Sequence, residues 1–285
     1  MENKTELTPT AIKELLQILK TRFEMGRVSL RITPNLYRMK FYLSIITLFM
    51  TLFTFGQDLF PVSYQDGNQK LNGLITSNKG KKLPGVLILP AWKGIDNEAK
   101  QAAIDLEKEG YIVFIADIYG EGNYPKDNSE AAQISSQYKK DYEAYQKRIR
   151  IALEELIKQG AIPEKIAVIG YCFGGTGALE AARGNLPVQG IVSIHGGLAK
   201  DSTRPVGTIL PKVLVEHPAE DMSASKEDYD NFVQEMRESK ADWQIITYAN
   251  CGHTFTNPES ADYNETMAKR AWNHTLMFLN EILKQ

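Results

Sequence analysis

From Leu59 onward the apolar positions change period several times. Short apolar runs suited to buried strands alternate with stretches in which apolar residues recur every three or four positions. That alternation predicts an α/β domain: a mostly parallel central sheet flanked by helices. The opening differs, because residues 61–64 and 70–76 flank Gln65-Asp66-Gly67-Asn68, and Asp-Gly between two such segments signals an antiparallel β-hairpin. Residues 85–89 (GVLIL) read as a buried strand, 97–109 as a helix stopped by Gly110, and 111–116 as the next strand. Residues 129–159 carry helical spacing over one or two helices and stop at Gly160. The remaining strands are expected at 165–169 (KIAVI), 190–194, 212–216 and 243–248, and the remaining helices at 175–183, 226–239 and 261–283.

Near the start the pattern breaks the other way. Residues 41–55 (FYLSIITLFMTLFTF) are mostly apolar and carry no charge. A membrane-spanning helix needs about 20 apolar residues, whereas a secretory apolar region runs about 7–15 behind a positive start such as Met39-Lys40. Residues 39–57 are therefore expected to be a signal peptide or signal anchor, and 58–285 an exported domain that meets a membrane only if that segment is retained. Residues 1–38 are either chain preceding a true start at Met39 or a cytoplasmic amphipathic helix, with Ile12, Leu15, Leu16, Ile18, Leu19 and Phe23 at helical spacing.

Composition narrows the function classes. A chain of 285 residues with 43% hydrophobic and 24% charged residues can bury one large core. A net charge of −2 provides no basic field of the kind nucleic acid selects. Two cysteines, Cys172 and Cys251, make neither a disulfide framework nor a Cys-x-x-Cys pair, and no metal or cofactor is expected.

The chemistry centres on Gly170-Tyr171-Cys172-Phe173-Gly174-Gly175. Glycines two residues before and after a nucleophile, between an apolar strand and an Ala-rich helix, make the tight turn that exposes a nucleophile above a sheet. The N-terminus of the following helix faces the thiol, whose anionic form is the one that attacks. A base must lie downstream, after a strand. His253 fits, in Asn250-Cys251-Gly252-His253-Thr254-Phe255. His217 and His274 are expected to be structural, and His195, which precedes two glycines at a strand end, to support or line the site. The acid should follow the strand before, in His217-Pro218-Ala219-Glu220-Asp221, with Asp221 the choice and Glu220 the reserve. A competing role for Asp221 is to cap the next helix, for which Ser223 and Ser225 are better placed. An oxyanion would need the amide of Phe173 and a second donor from the loop after an early strand, where Trp92 in Pro90-Ala91-Trp92-Lys93-Gly94 is the candidate and Lys93 a nearby cation.

Together these motifs, with Ala116-Asp117-Ile118-Tyr119-Gly120 and Gly252-His253-Thr254-Phe255-Thr256-Asn257-Pro258, resemble the dienelactone hydrolases over roughly residues 59–283. The resemblance implies a single α/β-hydrolase domain without a cap, a Cys172-Asp221-His253 triad, and hydrolysis of an ester or lactone through a thioester intermediate. It also draws Tyr119 into the expected site. The family's namesakes carry a glutamate just ahead of the oxyanion residue and arginines for a substrate carboxylate. Here Ala91 stands in the first place, and Thr256-Asn257-Pro258 follows the histidine. The expected substrate is thus a small ester or lactone other than dienelactone itself, acted on by a monomer. A broader carboxylesterase or thioesterase, a binding protein on the same fold, and a redox pairing of Cys251 with Cys172 are the readings the sequence leaves open.

Overall fold

The computed structural model describes residues 13, 14, 17 and 59–284. Lys13, Glu14 and Gln17 are helical and exposed, in a compact unit of residues 1–56, and the domain forms a second unit of residues 57–285. The signal segment at 39–57, and with it the expectation of export, lies outside the described residues, as do the apolar positions of the proposed amphipathic helix. Among the described residues no helix is long and apolar enough to cross a membrane.

Eight strands make one sheet in the order β1-β2-β4-β3-β5-β6-β7-β8. The hairpin is present as β1 (Phe60–Asp66) and β2 (Gln69–Ile75), paired antiparallel, and β2 joins β4 (Ile112–Ile115) antiparallel. All further pairings are parallel, through β3 (Leu83–Leu89), β5 (Ala161–Tyr171), β6 (Gly190–Ile194), β7 (Lys212–Pro218) and β8 (Trp243–Tyr248). The five residues of β6 and the four of β4 are all buried, the unbroken apolar run of strands covered on both faces.

Two helical layers provide that cover. α1 (Asn97–Lys108) packs Ala99, Ala103 and Leu106 against one face, joined by Leu279 and Leu283 of α6 (Glu265–Leu283). On the other face lie α2 (Asn128–Lys140), α3 (Tyr142–Lys158), α4 (Phe173–Arg183) and α5 (Lys226–Glu238), contributing Tyr145, Ile149, Leu156, Leu179, Phe232 and Met236. Each fully buried Leu, Ile or Phe is worth roughly 1.5–3 kcal/mol, so the layers hold the sheet from both sides. Among the described residues no inserted domain caps the strand ends.

The structure decides between one helix and two in 129–159, starts β5 at Ala161 and α4 at Phe173, and moves the start of the last helix. The stretch 129–159 divides at Asp141, whose backbone leaves the helical region (φ −103°, ψ 75°) and whose carboxylate accepts the Ala144 N–H at 2.9 Å to start α3. The last helix begins at Glu265 rather than at 261, because Asn264 takes extended φ and ψ and its side chain accepts the Met267 N–H at 3.2 Å.

Candidate active site

Strand β5 runs straight into the cysteine turn. Cys172 has φ 52° and ψ −112°, a strained conformation for a residue with a Cβ, held by its amide donating to the Ile194 carbonyl at 3.1 Å. The side chain is partly exposed at the start of α4. Phe173 follows as the first residue of that helix, where an amide has no intrahelical acceptor.

The loops after β7 and β8 carry the partners, and they are tied together by Ala219 N–H to the Tyr248 carbonyl and Glu220 N–H to the Cys251 carbonyl, both at 2.9 Å. This brings three of the expected residues into one line. Cys172 Sγ lies 3.1 Å from His253 Nε2, and His253 Nδ1 lies 2.8 Å from Asp221 Oδ2. Glu220 is exposed, whereas Asp221 is buried and its other oxygen accepts Ser223 N–H at 2.8 Å and Ser223 O–H at 2.6 Å. Helix α5 is capped by Ser225 through a capping box with Asp228, which leaves Asp221 free of that task. Burial pulls the His253 imidazole down, but hydrogen bonds and charges from Asp221 and Cys172 outweigh it and raise it to about 10. Burial likewise opposes the Asp221 carboxylate, and the bonds from His253 and Ser223 still bring it down to about 2. Both directions describe an imidazolium held against a carboxylate.

The loop with Trp92 is fixed from the opposite side. Tyr119 O–H donates to the Trp92 carbonyl at 2.7 Å, and its ring stacks on Phe173 with centroids 5.7 Å apart. Asp117 makes that possible by accepting the amides of Tyr119 and Gly120 at 3.1 and 2.9 Å. Tyr145, unmarked in the sequence, also stacks on Phe173, with centroids 4.7 Å apart, and donates to its carbonyl at 3.0 Å. Lys93 is exposed on the same loop.

His195 requires a correction. It is only 1% exposed and stands behind the turn, where it reaches the elbow backbone and no open pocket. Its Nδ1 accepts the Cys172 N–H at 3.1 Å, which places its proton on Nε2, 2.9 Å from Thr256 Oγ1. Thr256 in turn donates to Glu98 at 2.6 Å. Burial, with the neighbouring His253 charge, lowers the imidazole to about 3, so His195 is neutral beside a charged His253 whose ring centroid is 5.2 Å away. His217 packs on Tyr229 and His274 pairs with the Tyr248 hydroxyl at 2.8 Å, both structural positions. Both thiols are free, and Cys251 is a packed loop cysteine, fully buried with Tyr248 and Phe255, its Sγ directed at the Ala249 carbonyl.

Sequence reasoning missed Ser223, Tyr145, Thr256 and Glu98. Only Ser223 carried a local signal, as the residue two after an aspartate that closes an Asx turn.

The same architecture is found in known proteins. A solved dienelactone hydrolase-like promiscuous phosphotriesterase from metagenomic libraries is 30% identical, with a TM-score of 0.74 over 79% of this chain and 98% of its own. A structure named m3DLH is 31% identical, also with a TM-score of 0.74, over 80% of this chain and 99% of its own. A Bradyrhizobium sp protein named "Probable 2-oxo-3-(5-oxofuran-2-ylidene)propanoate lactonase" is 27% identical over 70% of this chain and 84% of its own. The sequence model of the dienelactone hydrolase family matches residues 71–283, which include the elbow and the loops of Trp92, Tyr119, Asp221 and His253, and this chain belongs to that family.

Proposed function

We propose that the chain hydrolyses a small carboxylic ester or lactone through a Cys172-His253-Asp221 triad and a thioester intermediate. The observation that carries the reading is the unbroken line of contacts from Asp221 through His253 to a sulfur on a strained turn, at 2.8 and 3.1 Å. His253 takes the thiol proton, and the Cys172 thiolate adds to the carbonyl carbon. The amides of Phe173 and Trp92 receive the resulting oxyanion. His253 then gives its proton to the leaving oxygen as the tetrahedral species collapses to the thioester. Water, deprotonated by His253, attacks the thioester, and the thiol leaves with the acid released. In a lactone the leaving oxygen stays on the same molecule and the product is a hydroxy acid.

The test is a p-nitrophenyl acetate assay with mass spectrometry of the quenched enzyme. Wild-type protein should release p-nitrophenol catalytically and carry an acetyl group on Cys172 during turnover. Acetylation elsewhere, or no turnover of short esters and lactones, would defeat the reading.

Replacing Asp221 by Asn turns an acceptor into a donor and leaves His253 in the wrong tautomer. Ser223 Oγ, 3.1 Å from Nδ1, still offers a partner, so kcat is expected to fall about a hundred- to a thousandfold rather than further. The same variant should change the response to alkali. A histidine raised from 6.5 to about 10 lends stability that is full below about 6.5 and is lost as pH climbs through about 10. Wild type should therefore lose more stability than Asp221→Asn between pH 6 and 9.5 in urea titrations; equal losses would refute the ion pair.

Tyr119→Phe removes the bond that pins the Trp92 loop while keeping the ring on Phe173. A neutral hydrogen bond is worth about 1 kcal/mol, so kcat should drop about fivefold with KM little changed. A change confined to KM would assign the tyrosine to substrate binding instead.

A further inference from the structure

A cavity of about 590 Å³ opens between α1, α6 and the loop beyond His253, and none of Cys172, Asp221 and His253 lines it. Its size falls within the roughly 300–1,000 Å³ of small-molecule sites. One wall is Glu216 of β7, which is 0% exposed. Glu216 Oε1 accepts the Thr275 hydroxyl at 2.9 Å, while Oε2 has no hydrogen-bond partner among the described residues. Glu98 reaches the cavity from α1. The buried Tyr171 also lines it, and its phenol is pushed up by burial first and then by the charges of Glu98 and Glu216. Ile194, Ala271 and Trp272 supply apolar and aromatic wall.

Among the described residues, the acidic groups of this space have no basic partner within it. Lys269 is the one basic residue in the lining, and it pairs with Glu265 at 2.6 Å. Asp105, also in the lining, is occupied by Lys108 at 2.7 Å. Burial holds Glu216 well above the ordinary carboxylate range and lifts Glu98 to about 7, against the bond from Thr256. The other charges acting on Glu98 are those of Asp96, at the start of its own helix, and of His253. An orphaned buried carboxyl oxygen costs stability unless something partners it. A water could satisfy that oxygen but would make no use of the aromatic wall. A cation bound to an apolar body uses both features: it lets the carboxyls ionise, and an indole face attracts it.

We propose that this cavity is a second binding site, for a small organic ammonium compound whose nitrogen lies at Glu216 and Glu98 and whose apolar body rests on Trp272 and Ile194. Binding does not require the Cys172 sulfur, which is not in the lining. It drives protons off carboxyls that are protonated in the empty cavity, so the heat of binding near pH 6.5 contains the ionisation heat of the buffer.

The experiment is calorimetric titration of the full chain with benzylamine and phenethylamine hydrochlorides, and with benzyl alcohol and benzoate as neutral and anionic counterparts, in two buffers of different ionisation enthalpy. Saturable binding of an amine with buffer-dependent heat is expected, at least about tenfold tighter than the alcohol or the carboxylate. Glu216→Gln and Trp272→Leu should each weaken it about tenfold, and Cys172→Ala should leave it unchanged. The proposal falls if neither amine binds saturably, if benzyl alcohol binds as well, if both cavity variants keep wild-type affinity, or if binding disappears in Cys172→Ala. Because the readout is heat rather than turnover, an inactive hydrolase leaves this result intact.

Discussion

Replacing Cys172 by Ala is expected to lower kcat/KM for p-nitrophenyl acetate by about ten-thousandfold or more. Nucleophile, base and acid act as one unit, and loss of the nucleophile alone costs nearly as much as loss of all three. The fold should not share in the loss. The Cys172 side chain is partly exposed, and the turn is held by backbone, through Ile194 and by the His195 imidazole on the Cys172 amide. Alanine keeps the Cβ and therefore the strained φ, so stability should stay within about 0.5 kcal/mol of wild type. Initial rates and urea titrations on the same preparations separate the two effects. Iodoacetamide gives a check that needs no substrate, since it should alkylate Cys172 and spare the buried Cys251. Wild-type ester hydrolysis by Cys172→Ala would remove the sulfur from the mechanism.

The line from Asp221 to Cys172 could be read from the sequence because each member is announced by its own strand. Cys172 sits between glycines at the end of β5, His253 follows β8, and Asp221 follows β7, so chain order and strand order narrowed each choice to one or two residues. What lies behind the line could not be read that way. Glu98 and Thr256 are 158 positions apart, and they meet only because α1 and the loop before α6 close over the same face of the sheet. His195 is expected from the sequence to support or line the site, and only the fold decides between the two. The end of β6 does point toward the site, but its φ of 41° and its bond to the Cys172 amide bring the ring in beneath the turn. A short polar side chain decides helix ends that the pattern left open at Asp141 or misplaced at residue 261, where Asn264 starts α6. Periodicity sees the apolar face of a helix and is blind to the cap that starts it.

Gly170→Ala is expected to cost about 4 kcal/mol or more, a large part of the 5–15 kcal/mol that a domain of this kind has in total. A Cβ at residue 170 would stand 1.9 Å from the Gly174 carbonyl oxygen and 2.2 Å from its carbon. When an added methyl meets side chains they move aside, and the cost is typically 1–3 kcal/mol. Here the obstacle is the first turn of α4, and that helix has nowhere to go. A Cβ on Gly174 itself would lie 2.0 Å from the Leu89 oxygen, so α4 is already packed backbone to backbone against the end of β3. Relief would require α4 to lift from the sheet, taking the Phe173 amide and the Cys172 sulfur out of line with His253. Gly207→Ala is the control, because a Cβ there meets nothing within 4 Å and φ is not positive; it should change stability by less than about 0.5 kcal/mol. Urea titration of both variants decides the point. A Gly170→Ala protein within about 1 kcal/mol of wild type would mean that the elbow is looser than its geometry, and that the strain at Cys172 is not enforced by the helix behind it.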